Sequence, residues 1–60
     1  MTTQIEIEVE GRKTQFTLDW EGQRWQCLEK QKESDFPLIA VVDGKRYELY
    51  SDETFAEVER

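Results

Sequence analysis

Histidine is absent from this chain, and cysteine and proline occur once each, as Cys27 and Pro37. Each scarcity excludes a class of chemistry. Without histidine there is no side chain that titrates near neutral pH, and the commonest transition-metal ligand is missing. A lone cysteine closes no internal disulfide and supplies no thiolate zinc site, which needs several soft ligands. No Ser–His or Cys–His pair can be assembled for nucleophilic catalysis. Glycine is limited to Gly11, Gly22 and Gly44, each at an expected hairpin turn, so no glycine-rich phosphate loop exists. The carboxylates Asp52, Glu53, Glu57 and Glu59 are spaced too loosely for a calcium loop. We therefore expect a non-enzymatic chain with no metal and no cofactor.

Long apolar runs are missing too. Nothing approaches the ~20 apolar residues of a membrane span. The first ten residues, MTTQIEIEVE, have neither the basic start nor the apolar stretch of a secretory leader. A cytoplasmic location is expected, with Cys27 a small buried hydrophobe in a reducing compartment. The 60 residues make one small domain, 1–60, whose core supplies only ~3–5 kcal/mol.

The charge is uneven. Residues 11–50 carry seven acids and seven bases, so the net charge of −6 belongs to the two ends. Glu6, Glu8 and Glu10 lie at one end, and Asp52, Glu53, Glu57 and Glu59 at the other. Direct nucleic-acid binding rests on Lys and Arg neutralising phosphates and is not expected. An acidic nucleic-acid mimic, built from those seven carboxylates, is the alternative functional reading.

What is present is alternation. Phe16 to Cys27 reads as a hairpin turning at Glu21-Gly22. That turn pairs Asp19 with Arg24, Leu18 with Trp25, Thr17 with Gln26 and Phe16 with Cys27. Side chains alternate faces along a strand, so Phe16, Leu18, Trp20, Trp25 and Cys27 share one face. A slip of one residue would scatter the set. Gly22 is the expected source of positive φ in the turn. Before it, Ile5, Ile7 and Val9 alternate with glutamates as a half-buried strand. The turn that follows lies at Gly11-Arg12 or at Glu10-Gly11, and both keep the same faces. The expected second and third strands run 14–20 and 23–30. A charged loop from Glu29 leads through Phe36-Pro37, where proline biases Phe36 toward extended backbone.

Leu38 to Val42 is the most strand-prone run. Asp43-Gly44 is a strong hairpin signal, and Lys45 to Tyr50 returns. Leu38, Ala40, Val42, Tyr47 and Leu49 fall on one face; Ile39, Val41, Arg46, Glu48 and Tyr50 fall on the other. In residues 51–60, Ser51 suits an N-cap and Phe55 and Val58 share a helical face, favouring a short helix. The alternation Thr54, Ala56, Val58 also fits a strand. The expected fold is all-β: a five-stranded antiparallel meander, closing toward a small SH3-like or OB-like barrel, with a short C-terminal helix or strand.

One feature breaks the inside–outside pattern. Ile39, Val41 and Tyr50 point away from the core face of the last hairpin, and Leu28 is off phase from Trp25 and Cys27. Either Phe55 and Val58 fold over this second face or barrel curvature buries it, or it stays open as an interface. The expectation for function is a protein-binding module, an accessory subunit or inhibitor, docking on a larger protein. The expected contacts are Ile39, Val41, Arg46, Glu48 and Tyr50, with Leu28 and Phe36 nearby. Self-association through the same face or a free sheet edge is a further possibility.

Overall fold

The structure, a computed structural model, describes residues 1–58. It contains six strands: β1 (Thr2–Val9), β2 (Arg12–Asp19), β3 (Arg24–Cys27), β4 (Leu38–Val42), β5 (Lys45–Leu49) and β6 (Phe55–Glu57). They form two antiparallel three-stranded sheets, ordered β1-β2-β3 and β4-β5-β6. The all-β class is as expected. The count of five strands and the closed barrel are not.

The first hairpin turns at Glu10-Gly11, with Val9 opposite Arg12 and Ile5 opposite Phe16. Both turn residues have left-handed backbone, φ 52° and 80°, as a type I′ turn demands. A turn one residue later would place Arg12 rather than glycine at the second left-handed position, at a steric cost. The second hairpin has the expected register, from Phe16–Cys27 to Asp19–Arg24. Its turn differs. Trp20 and Gln23 leave the ladder, and the positive φ (53°) falls on Gln23 instead of Gly22. Other partners draw these residues away: the Trp20 N–H donates to the Met1 carbonyl (3.2 Å), and the Gln23 carbonyl accepts from Phe55 N–H (3.1 Å). β3 stops at Cys27, short of the expected Lys30.

The long connection contains one 3-10 turn over Glu33–Asp35. The Lys32 N–H donates to the Asp35 carboxylate at 3.2 Å. Phe36 is extended, with φ −96° and ψ 154°, and a cis peptide bond joins it to Pro37. The last long hairpin turns at Asp43-Gly44, pairing Leu38 with Leu49 and Ala40 with Tyr47.

The favoured C-terminal helix does not form. The chain turns so that Tyr50 N–H donates to the Thr54 carbonyl at 2.8 Å, and Phe55–Glu57 returns along β5 with Phe55 opposite Leu49. A helix would have left the outer edge of β5 without partners, and unpaired backbone groups are costly. The strand pairs that edge and drops Phe55 into the core. Local capping signals at Ser51 and Asp52 lose to this tertiary gain.

Ile7, Val9, Phe16, Leu18 and Trp25 of the first sheet meet Ala40, Leu49 and Phe55 of the second in one core. Phe16, Leu18 and Leu49 are its fully buried large side chains. One corner between the sheets is clasped. Arg24 bridges to Thr54, Trp25 N–H donates to the Glu53 carbonyl (3.0 Å), and the Trp25 indole donates to the Tyr50 carbonyl (2.7 Å). At the other corner β1 and β4 approach within 8 Å between Cα atoms, but no ladder joins them among the described residues. A barrel needs ladder pairing all the way round, so the molecule remains two sheets joined along one corner. No helix among the described residues is long and apolar enough to cross a membrane.

Candidate functional site

The second sheet builds the candidate site on its outer face. Directly opposed residues of an antiparallel pair share a face. Ile39 faces Glu48 across β4–β5, and Glu48 faces Ala56 across β5–β6. These three make one row. Val41 faces Arg46, and Val58 N–H donates to the Arg46 carbonyl at 2.9 Å, which makes a second row of Val41, Arg46 and Val58. Tyr50 continues the line of Arg46 and Glu48 beyond the end of β5.

The face is open. Ile39 is 49% exposed, Val41 62% and Tyr50 37%. Phe55 does not cover it, being buried in the core, and Val58 extends the face instead of folding over it. The structure therefore brings together five of the expected contact residues: Ile39, Val41, Arg46, Glu48 and Tyr50. It adds Ala56 and Val58; helical spacing groups Val58 with Phe55 instead, and the alternation Thr54, Ala56, Val58 is the signal that finds both.

The other two expected contacts lie apart. Leu28 is fully exposed, at 104%, but it follows β3 on the first sheet, beside a shallow groove that includes Lys13, Gln15 and Glu29. Phe36 is half-buried and stacks on Trp25 with ring centroids 5.1 Å apart, so it caps the core.

Polar chemistry on the face is confined to β5 and the tyrosine that follows it. The Tyr50 hydroxyl donates to Glu48 Oε1 at 2.8 Å. That bond to the Glu48 carboxylate holds the phenol above its ordinary pKa of 10.0, because ionising the tyrosine would set two anions together. The bond also fixes the Tyr50 ring beside the aliphatic rows. An aromatic anchor, four aliphatic side chains and one charge of each sign match the make-up of interface contacts.

Among the described residues, the acidic side chains do not gather into one surface. Glu6 and Glu8 lie on β1, at the far edge of the first sheet from β3. Glu8 faces Lys13 across the ladder, and Glu10 lies 4.0 Å from Lys32. Asp52 and Glu53 sit in the turn beside β3, where Glu53 is 3.8 Å from Arg24. Asp52 accepts bonds from the Thr54 hydroxyl and N–H, and the hydroxyl bond holds its carboxyl below the usual carboxylate range. Glu57 ends β6, and Glu59 lies outside the described residues. Three of these carboxylates thus stand beside a base, and β2 separates the two clusters.

Comparison of the chain with protein-family models, with curated proteins and with solved structures found no match.

Proposed function

We propose that this chain is a small non-catalytic protein-binding module, an accessory subunit or inhibitor, that docks on a larger protein through the outer face of β4–β6. One observation carries the reading: Ile39, Val41 and Tyr50 are exposed together on a sheet whose inner face already supplies its share of the core. Folding does not require these residues to be apolar, and contiguous exposed apolar residues mark interaction surfaces. Burial of Tyr50 and the aliphatics supplies affinity, and Arg46 and Glu48 set orientation. The acidic ends of the chain steer encounter with a basic partner.

The test is affinity capture from the native lysate at about 0.5 M salt, where exposed charges are screened within ~5 Å. Wild type is compared with Val41→Glu on the docking face and Gln15→Glu on the first sheet, each checked for folding by circular dichroism. The expected result is one protein retained by wild type and by Gln15→Glu and lost by Val41→Glu. Equal retention by all three, or none at any salt, overturns the proposal.

A further inference from the structure

The two rows of this face are complementary to each other, which bears on what covers it when no larger partner is present. We infer that the outer face of β4–β6 closes on a second copy of the chain, an inference that rests on the reading of this face as a contact surface. Consider a two-fold axis lying in the interface and crossing β5 at Tyr47, perpendicular to the strands. It leaves β4 over β4 and β6 over β6, and it exchanges the rows. Ile39 then meets Val41 of the second copy, Ala56 meets Val58, and Glu48 meets Arg46. Every aliphatic side chain lands on an aliphatic one, and both charges land on their opposites. This self-matching is what a closed two-fold interface requires, and it gives the aligned sheet-on-sheet packing, with sheets ~10 Å apart, common in β-sandwiches.

The same rotation carries Tyr50 over Gly44 of the second copy. Gly44 is open: a Cβ built there would meet nothing within 4 Å. The turn thus offers room for the one bulky side chain on the face. Charge also favours this surface over others. The chain carries a net −6, so most of its surfaces repel their own copies, but this face holds one arginine and one glutamate and is neutral. Three strands at ~4.8 Å spacing, the two longer ones five residues each, give a face of roughly 15 by 17 Å, about 250 Å², far below the ~800 Å² per partner of a stable interface. The dimer is accordingly weak. It uses the side chains that would contact a larger protein, so self-association and docking exclude each other, and the dimer acts as a masked reserve.

The charge pair supplies the test. Arg46→Glu sets glutamates against Glu48 of the second copy, and Glu48→Arg sets arginines against Arg46; like charges face to face oppose association. Each variant alone should therefore raise the dimer dissociation constant at least about tenfold in sedimentation equilibrium run up to roughly 1 mM. Mixed in equal amounts, the two variants restore both opposite-charge contacts and should dimerise as wild type does, giving a species of twice the 7.2 kDa monomer. Wild type should also show concentration-dependent amide shifts at Ile39, Val41, Ala56 and Val58 and none on the outer face of β1–β3, which needs no variant to fold. A wild type that stays monomeric throughout, or a mixture that fails to dimerise while both variants keep native tryptophan emission, overturns the inference. A monomer that still captures a larger protein through Val41 overturns the dimer alone. A dimer that captures nothing overturns docking on a larger protein alone.

Discussion

The two sheets have similar inner faces and different outer ones. Both point alternate large apolar residues into one core, Phe16 and Leu18 from the first sheet and Leu49 and Phe55 from the second. Outward, the first sheet shows Gln4, Glu6, Glu8, Gln15 and Gln26, all exposed. The second shows Ile39, Val41, Arg46, Glu48, Ala56 and Val58. The inner pattern is explained by folding, since each face removes apolar surface from water. The outer pattern of the second sheet is not, because the first sheet folds with a polar one. That contrast separates the residues the fold needs from those left over for a partner.

The largest effects should come from the shared inner layer. Phe16→Ala in the first sheet and Leu49→Ala in the second each leave a cavity and cost about 2–5 kcal/mol. A domain this small holds only ~3–5 kcal/mol in all, so both variants should be largely unfolded at 25 °C by circular dichroism and urea titration. If Leu49→Ala lost the second sheet while the amide signals of β1–β3 stayed dispersed, the sheets would be independent units and the single shared core would be wrong.

Next in size is the corner clasp. The Trp25 indole reaches across to the second sheet, donating to the Tyr50 carbonyl at 2.7 Å. The Trp20 indole N–H donates on the first-sheet side, to Thr3 Oγ1 at 2.7 Å, while its ring meets Tyr47 and Phe55 of the second sheet edge-on at 5.2 and 5.4 Å. Trp25→Phe removes one of the two bonds to the Tyr50 carbonyl, which keeps the Glu53 N–H at 3.0 Å, and should cost about 0.5–1.5 kcal/mol. Trp20→Phe leaves a hydroxyl near the chain end, which water can reach, and should cost less. Urea midpoints for the two variants rank them; equal losses would mean that the clasp contributes nothing beyond the ring volume both variants lose.

Smaller still are the turns. Hairpins in both sheets use type I′ geometry, Glu10-Gly11 in one and Asp43-Gly44 in the other, with φ 52° and 53° at the first turn residue. Aspartate tolerates that backbone better than glutamate does. Glu10→Asn should raise stability by about 0.5–1 kcal/mol, while Asp43→Asn should change it little. The ion pair lost with Glu10, exposed and 4.0 Å from Lys32, is of a kind worth little. A thermal melt that ranks the two variants the other way would place the strain in the second sheet.

Much of this architecture was legible in the residues. The registers of the Phe16–Cys27 and Leu38–Leu49 hairpins follow from alternation, because a one-residue slip exchanges the faces. The location of five strands followed as well, and so did the existence of a second apolar face, though not whether Phe55 and Val58 would cover it. What could not be read was decided by distant partners. Gln23 takes the left-handed backbone because its carbonyl meets Phe55. Residues 55–57 become a strand because β5 has an edge to fill, against the helix signals of Ser51 and Asp52. Closure into a barrel turns on whether β1 and β4 hydrogen-bond, and neither strand's own residues encode that. Leu28 looked like part of the open face because phase alone does not say to which sheet an outward residue belongs.

The smallest effect lies on the outer face of β5. The bond from Tyr50 to Glu48 raises the folded pKa of the phenol above its usual 10.0. A group with a raised folded pKa adds stability in full below its unfolded pKa, and that addition is lost as pH rises through the folded value. Tyr50 is therefore expected to ionise later than a free tyrosine, with the fold losing a small increment above pH 10 and none near neutrality. Glu48→Gln removes the negative charge but keeps an acceptor, so the Tyr50 ring signals in an NMR titration should shift at lower pH than in wild type. An unchanged titration would mean that Glu48 does not hold Tyr50 in solution. The tyrosine would then be a mobile anchor, and the first and second sheets would differ in apolar content but not in how firmly that content is positioned.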